Sequence, residues 1–297
     1  MQITESIHAI RHPFRLALGD GRYVDRFVYS YLIVGKTICL VDTGVYTTAP
    51  LILDYVRSLG RAPEEISLIL LTHAHPDHIG GCAPIKKNAP APVAVHRTEK
   101  HWVEDIERQY RERPIPNLFD LAGEGVPVER ELIDGQLVPW EEGKTIRIIE
   151  TPGHSPGSVS FFFEEEGALF SGDSVPSAGT IPIYVDPAAS IMSVQKLKGL
   201  NNVKYLLSSW HEPILGDRIA EVMDEGCAYI RRIDAIVEDI HRQGPLLSPE
   251  ALSLLALERL GIKVPKVLFM IEATFRGHLD RLAGVKPEKS GHIDGHP

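Results

Sequence analysis

The chain has 297 residues, 43% of them hydrophobic and 24% charged, with a formal net charge of −9. This is the profile of a globular protein with one large domain, or a domain plus an appendage. The acidic balance argues against a nucleic-acid partner, and no apolar run approaches the roughly 20 residues that cross a bilayer. The three scattered cysteines, Cys39, Cys82 and Cys227, make neither a disulfide framework nor a CxxC metal pair.

The pattern predicts strands over residues 27–34 (FVYSYLIV) and 37–41 (TICLV), which are β-branched and aromatic and are split by Gly35-Lys36. The second run stops at the turn Asp42-Thr43-Gly44. Residues 49–59 carry Leu51, Ile52, Tyr55, Val56 and Leu59 at helical spacing before Gly60. Residues 66–71 (ISLILL) form a continuous apolar run, as in a strand buried on both faces. A short helix is expected after Gly80-Gly81, a brief strand over 93–96, and a weak helical stripe over 98–113. The Pro/Gly-rich stretch 114–127 reads as a surface loop.

Further strands are expected over 146–150, 158–163, 168–170 and 205–208, and the first, third and fourth run into segments that carry His154, Asp173 and His211. From residue 217 the texture becomes helical, with segments at 217–242, after the Ser248-Pro249 cap, and at 266–282. The polar tail 286–297 is expected to be disordered. The predicted organisation is therefore a catalytic region over 1–216 and a helical region over 217–285, packed on the core or on a second copy in a homodimer, followed by the tail. With no basic-then-apolar leader in MQITESIHAIRHPF, a cytoplasmic location is expected.

The chemistry is concentrated in LTHAHPDHIGG, residues 71–81, where His73, His75, Asp77 and His78 crowd the end of the apolar run. Imidazole is the commonest metal ligand, and a carboxylate is the usual oxygen donor beside it. Strand alternation puts His73 and His75 on one side, and the turn at Pro76 swings Asp77 and His78 to a second position. Four such groups at the end of a buried strand would be costly without a partner.

With VDTG before HAHPDH, and TPGHSPGS, SGDS and SSWHEP after it in the family's order, the chain resembles the metallo-β-lactamase fold superfamily over roughly residues 20–216. The resemblance implies an α/β fold, a four-layer αβ/βα sandwich with a C-terminal helical extension. It implies two divalent ions, zinc foremost, with iron or manganese as alternatives. His73, His75 and His154 would hold the first ion. Asp77, His78 and His211 would hold the second, and Asp173 would bridge the two. Asp42 matches the acid that orients a ligand histidine. His211 stands in WHEP where many relatives have a glycine-flanked histidine.

The implied activity is hydrolysis of a small ester, thioester or lactone by a metal-bridging hydroxide, with Asp77 carrying a proton to the leaving group. No GxSxG elbow competes with that reading. In lactonase-like relatives a tyrosine near the metals contacts the substrate carbonyl, which makes Tyr184 the candidate here. In glyoxalase II-like relatives C-terminal basic residues grip the substrate carboxylates, and Lys263, Lys266, Arg276 and Arg281 are available. Two other classes use the same fold: a mononuclear-iron persulfide dioxygenase-like oxidoreductase, and an endoribonuclease-like phosphodiesterase, which would need a basic face. Fold alone does not choose among them.

Overall fold

The computed structural model describes residues 1–18, 21–244 and 247–285, so the predicted tail lies outside the described residues. The described chain divides into two compact units, and both sheets belong to the first, built from 1–150, 159–173 and 202–215.

The first sheet takes β1 (Ile7–Ala17), β2 (Tyr23–Val34), β3 (Ile38–Val41), β4 (Ile66–Leu70), β5 (Val93–His96) and β6 (Arg130–Leu132), in that order. Pairing is antiparallel from β1 to β3 and parallel from β3 to β6. Its connections carry α1 (Ala49–Ser58), α2 (Pro76–Ile79), α3 (Cys82–Lys86), α4 (Lys100–Glu104), α5 (Ile106–Glu112) and α6 (Leu118–Ala122). The second sheet takes β7 (Leu137–Glu141), β8 (Lys144–Glu150), β9 (Val159–Phe163), β10 (Ala168–Gly172), β11 (Tyr205–Ser208) and β12 (Ile214–Leu215). It is antiparallel except for the β10–β11 pair.

Alternation along the strands builds the two cores of this unit. Ile38 and Leu40 of β3, with Ile66 and Ile69 of β4, face a core shared with Ile52 and Val56 of α1 and Trp102 of α4. Cys39 and Val41, with Leu68 and Leu70, face the opposite way and meet Ile146 and Ile148 of β8 and Phe161 of β9. The inner faces of both sheets thus share one apolar layer. The continuous apolar runs of β3 and β4 follow from burial on both faces. These two mixed sheets with flanking helices are the α/β sandwich that the resemblance implied.

Several elements departed from the pattern. β1 pairs with β2 over its whole length, although its sequence carries charged residues and Pro13. An edge strand tolerates both, because one side of its ladder needs no partner. The stretch expected to be a surface loop contains α6, with Leu118, Leu121 and Ala122 buried. Five residues are too few for a helical period to register in sequence.

The second unit takes 151–158, 174–201 and the described residues from Gly216 on. It contains α7 (Pro187–Lys198), α8 (Arg218–Gln243), α9 (Pro249–Leu260) and α10 (Leu268–Leu282). Asp186 caps α7, its carboxylate accepting from the Ala189 N–H at 2.9 Å, and Ser248 caps α9 in the same manner. Ile233 and Val237 of α8, Leu252 and Leu257 of α9, and Ile271 and Phe275 of α10 form its core. No described helix is long and apolar enough to cross a membrane.

One buried histidine of β1 carries a prediction. His12 Nδ1 lies 2.9 Å from the Thr48 hydroxyl and Nε2 lies 2.7 Å from that of Ser30. Burial pulls its pKa from 6.5 to about 4. Between those values the unfolded chain takes up a proton that the folded chain refuses. The contribution of His12 to stability is therefore complete above pH 6.5 and is lost as pH falls toward 4. The limiting effect is on the order of 3 kcal/mol. Urea unfolding of metal-free protein at pH 7, 5.5 and 4.5 should show this slope, and His12→Gln should flatten it. Equal slopes in the two proteins would remove His12 as the cause.

Candidate metal centre

Every candidate ligand of the first unit stands just past the C-terminal end of a strand. Asp42 follows β3, residues 73–78 follow β4, Asp173 follows β10 and His211 follows β11. This is where α/β sheets commonly place ligands, since the strand ends open into a crevice. β3 and β4 run parallel, as do β10 and β11, so each pair opens toward the same edge.

Asp42 organises the loop. Its backbone is left-handed, with φ of 56°, a conformation that Asp tolerates better than most residues. Oδ1 accepts the Thr72 N–H at 2.8 Å, and Oδ2 accepts the Thr72 hydroxyl at 2.8 Å. The same Oδ2 lies 2.8 Å from His78 Nδ1. The following Thr43 holds the His78 carbonyl through both its backbone N–H and its hydroxyl, each at 2.8 Å. Gly81 allows this approach: a Cβ there would stand 2.2 Å from the Thr43 carbonyl oxygen.

His78 is fully buried among carboxylates. Its Nε2 lies 3.4 Å from Asp173 Oδ1 and 4.0 Å from Asp77 Oδ2. Burial disfavours its charge, but Asp173, Asp42 and Asp77 outweigh burial and hold the imidazole well above the usual histidine range. Such a cluster calls for positive charge at its centre. Donor atoms of His73, His78 and Asp173 lie within 4.8 Å of one another, and those of His73 and His75 are equally close. Burial lowers the pKa of His211, and Asp173 pulls it back up, so the two sit within electrostatic reach.

The histidines share one habit. Nδ1 of His73 lies 3.0 Å from the Thr72 hydroxyl, and Nδ1 of His211 lies 2.8 Å from that of Ser208. Nδ1 of His78 is bound to Asp42. In the second unit, His154 Nδ1 donates to the Ile183 carbonyl at 2.6 Å. A carbonyl only accepts, so Nδ1 carries the proton of this bond and Nε2 is the nitrogen turned away from Ile183. This is the arrangement in which an outer partner orients a metal-binding imidazole. The buried Nε2 of His78 makes no hydrogen bond. An orphaned nitrogen amid carboxylates, with imidazole and carboxylate donors around it, fits a divalent ion.

Two supporting residues escaped the sequence reading. Glu99 accepts the Ala74 N–H at 2.7 Å, and Gln109 donates its side-chain N–H to the Ala74 carbonyl. Both are fully buried, so the peptide groups between His73 and His75 are clamped on both sides. Arg113 stands within electrostatic reach of Glu99 and Asp77, and its guanidinium lies over the Trp102 ring at 5.3 Å. The available signal was Gln109 itself, a polar residue three positions after Ile106 on the buried stripe of α5. Tyr184 is buried in the second unit, with its hydroxyl 2.8 Å from His278 Nε2.

A two-sheet α/β fold with histidines and carboxylates gathered beyond its strand ends defines a metal-binding protein. The family profile of the metallo-beta-lactamase superfamily matches residues 23–209, and the chain belongs to that superfamily. The chain is 28% identical over 221 residues to a beta-lactamase-like protein 2 homolog of Caenorhabditis elegans, covering 71% of this chain and 64% of that protein. It is 29% identical over 185 residues to an atrochrysone carboxyl ACP thioesterase of Claviceps purpurea, covering 61% of this chain and 50% of the other. Both matches therefore span less than two thirds of the relative's own length. A metallo-beta-lactamase family protein of Thermus thermophilus superposes with a TM-score of 0.71 at 22% identity, covering 95% of each chain, and this likeness concerns the fold.

Asp42→Asn keeps the side-chain shape, and Asn also accepts left-handed backbone, but the negative charge is gone. We expect zinc affinity to fall by about 10- to 100-fold, read by competition with a chromophoric chelator. Gln109→Ala should weaken binding in the same direction through the Ala74 clamp. Wild-type affinity in both variants would show that neither side chain supports the centre.

Proposed function

We propose that the chain is a metal-dependent hydrolase that cleaves a small ester or thioester and works with two divalent ions, zinc foremost. The observation that carries this is His78, buried with its Nε2 between Asp173 and Asp77 and its Nδ1 on Asp42. In this reading His73, His75 and His154 hold one ion, Asp77, His78 and His211 hold the other, and Asp173 serves both. Residues 1–216 would carry the chemistry, with residues 217–285 as a C-terminal helical region. When bound, the ions supply a water acidic enough to deprotonate near neutral pH and a Lewis acid for the scissile carbonyl.

The chain's own groups do the rest. Asp77 stands at the N-terminal turn of α2 and carries the proton to the departing oxygen or sulfur. Asp42 keeps His78 in one orientation, and Glu99 with Gln109 keeps the His73–His75 loop from relaxing. A thioester is the favoured bond, because a relative in this superfamily is named as an acyl-carrier thioesterase.

Metal content per chain, measured by mass spectrometry on protein purified without chelator or histidine tag, is the primary test. Close to two ions per chain is expected, with thioester hydrolysis lost to EDTA and restored by zinc. Asp77→Asn should lower kcat by about 10²-fold or more. One iron per chain with little zinc, together with oxygen uptake on a persulfide, would replace hydrolysis with oxidation as the reaction.

A further inference from the structure

The second unit holds a line of polar groups, buried at Tyr184, Thr274 and His278 and reaching the surface at Asp234 and Arg281, that the hydrolytic chemistry does not use. Asp234 lies on α8, while Thr274, Gly277, His278 and Arg281 lie on α10. Tyr184 lies in the loop before α7. The His278 ring is fully buried and Tyr184 is 2% exposed. His278 Nδ1 lies 2.7 Å from Asp234 Oδ1, and Arg281 Nε donates to the same oxygen at 2.9 Å. The Tyr184 hydroxyl lies 2.8 Å from His278 Nε2, so a hydrogen bond joins the two. Burial holds that hydroxyl well above the ordinary tyrosine range.

The same loop grips the segment that carries His154. The Ile183 carbonyl accepts from His154 Nδ1 at 2.6 Å. The Gly153 carbonyl accepts the N–H groups of Val185 at 2.8 Å and Asp186 at 3.1 Å. On its other side the loop is fastened to α10. The Thr274 hydroxyl donates to the Pro182 carbonyl at 2.8 Å and accepts from the Tyr184 N–H at 3.3 Å. Gly277 lets α10 come close, since a Cβ there would stand 2.5 Å from the Val185 carbonyl oxygen. Residues 182–186 therefore pass a constraint from two C-terminal helices to one imidazole.

We infer that Tyr184, His278 and Asp234 are positioning residues that fix the His154 imidazole for metal binding through the 182–186 loop. This rests on the reading of His154 as a ligand. A line of hydrogen bonds that only stabilised the fold would be indifferent to the ion. A line that aims Nε2 of His154 is felt at the ion His154 holds and not at the other.

The test is titration of metal-free protein with Co²⁺, following the visible d–d bands, alongside Zn²⁺ competition with a chelator and thermal unfolding. Tyr184→Phe removes one hydroxyl and keeps the ring. Gly277→Ala pushes on the same loop from α10 without touching the hydrogen-bonded line. In both we expect one of the two ions to bind about 10-fold or more weakly with an altered Co²⁺ spectrum, while the other binds as in wild type. Thr274→Ser, which keeps the hydroxyl, should retain the wild-type spectrum, whereas Thr274→Val should not. Wild-type Co²⁺ affinity and spectrum in Tyr184→Phe and Gly277→Ala, with or without a lower Tm, would overturn the inference and leave the hydrolase reading standing. A wild-type chain that takes up no Co²⁺ would overturn both.

Discussion

A single buried carboxylate, that of Asp42, ties the His73–His78 loop to the sheet. It joins the end of β3 to the end of β4 through Thr72, and joins both to α2 through His78. A charged group with almost no exposure is tolerated only when it is hydrogen-bonded and its charge is answered. Hydrogen bonds fill its lone pairs, but the only cationic neighbour among these three partners is His78. That histidine also faces Asp77 and Asp173. Together the three carboxylates outweigh burial and favour the charged imidazole, so the loop gathers negative charge around one buried side chain.

How far this was legible in sequence depended on how local each feature is. HAHPDH was legible because four donors fall within six residues behind a buried strand, a density with no cheap structural use. β3, β4 and β5 were legible because strands buried on both faces read as unbroken apolar runs. β1 was not, since an edge strand carries whatever its two environments allow. Glu99 and Gln109 were illegible for another reason. They serve Ala74 from 25 and 35 residues away, and nothing near them in the chain marks that duty. Tyr184 stood out as a tyrosine in a loop after Asp173, but its hydroxyl partner lies 94 residues further on. Motifs reveal donors, whereas the groups that aim the donors are chosen by tertiary contact.

The aiming follows one rule across His73, His78, His154 and His211. In each, Nδ1 is engaged by a neighbouring oxygen: a threonine hydroxyl, an aspartate, a main-chain carbonyl and a serine hydroxyl. Engaging Nδ1 fixes the ring plane and leaves Nε2 as the outward nitrogen. The partners differ in kind, so no shared sequence signal accompanies the histidines, although the geometric result is the same.

The apolar core and the candidate site are built from different residues. In a small zinc domain the ion supplies the core, and its binding is the folding reaction. Here two six-stranded sheets share an apolar layer of side chains, and the candidate imidazoles are oriented by bonds to protein oxygens. The ion then selects itself by donor type and by availability. A mixture of imidazole and carboxylate suits zinc, iron and manganese. Donor type therefore narrows the ion without choosing it, and the choice falls to site geometry and to which metal is available.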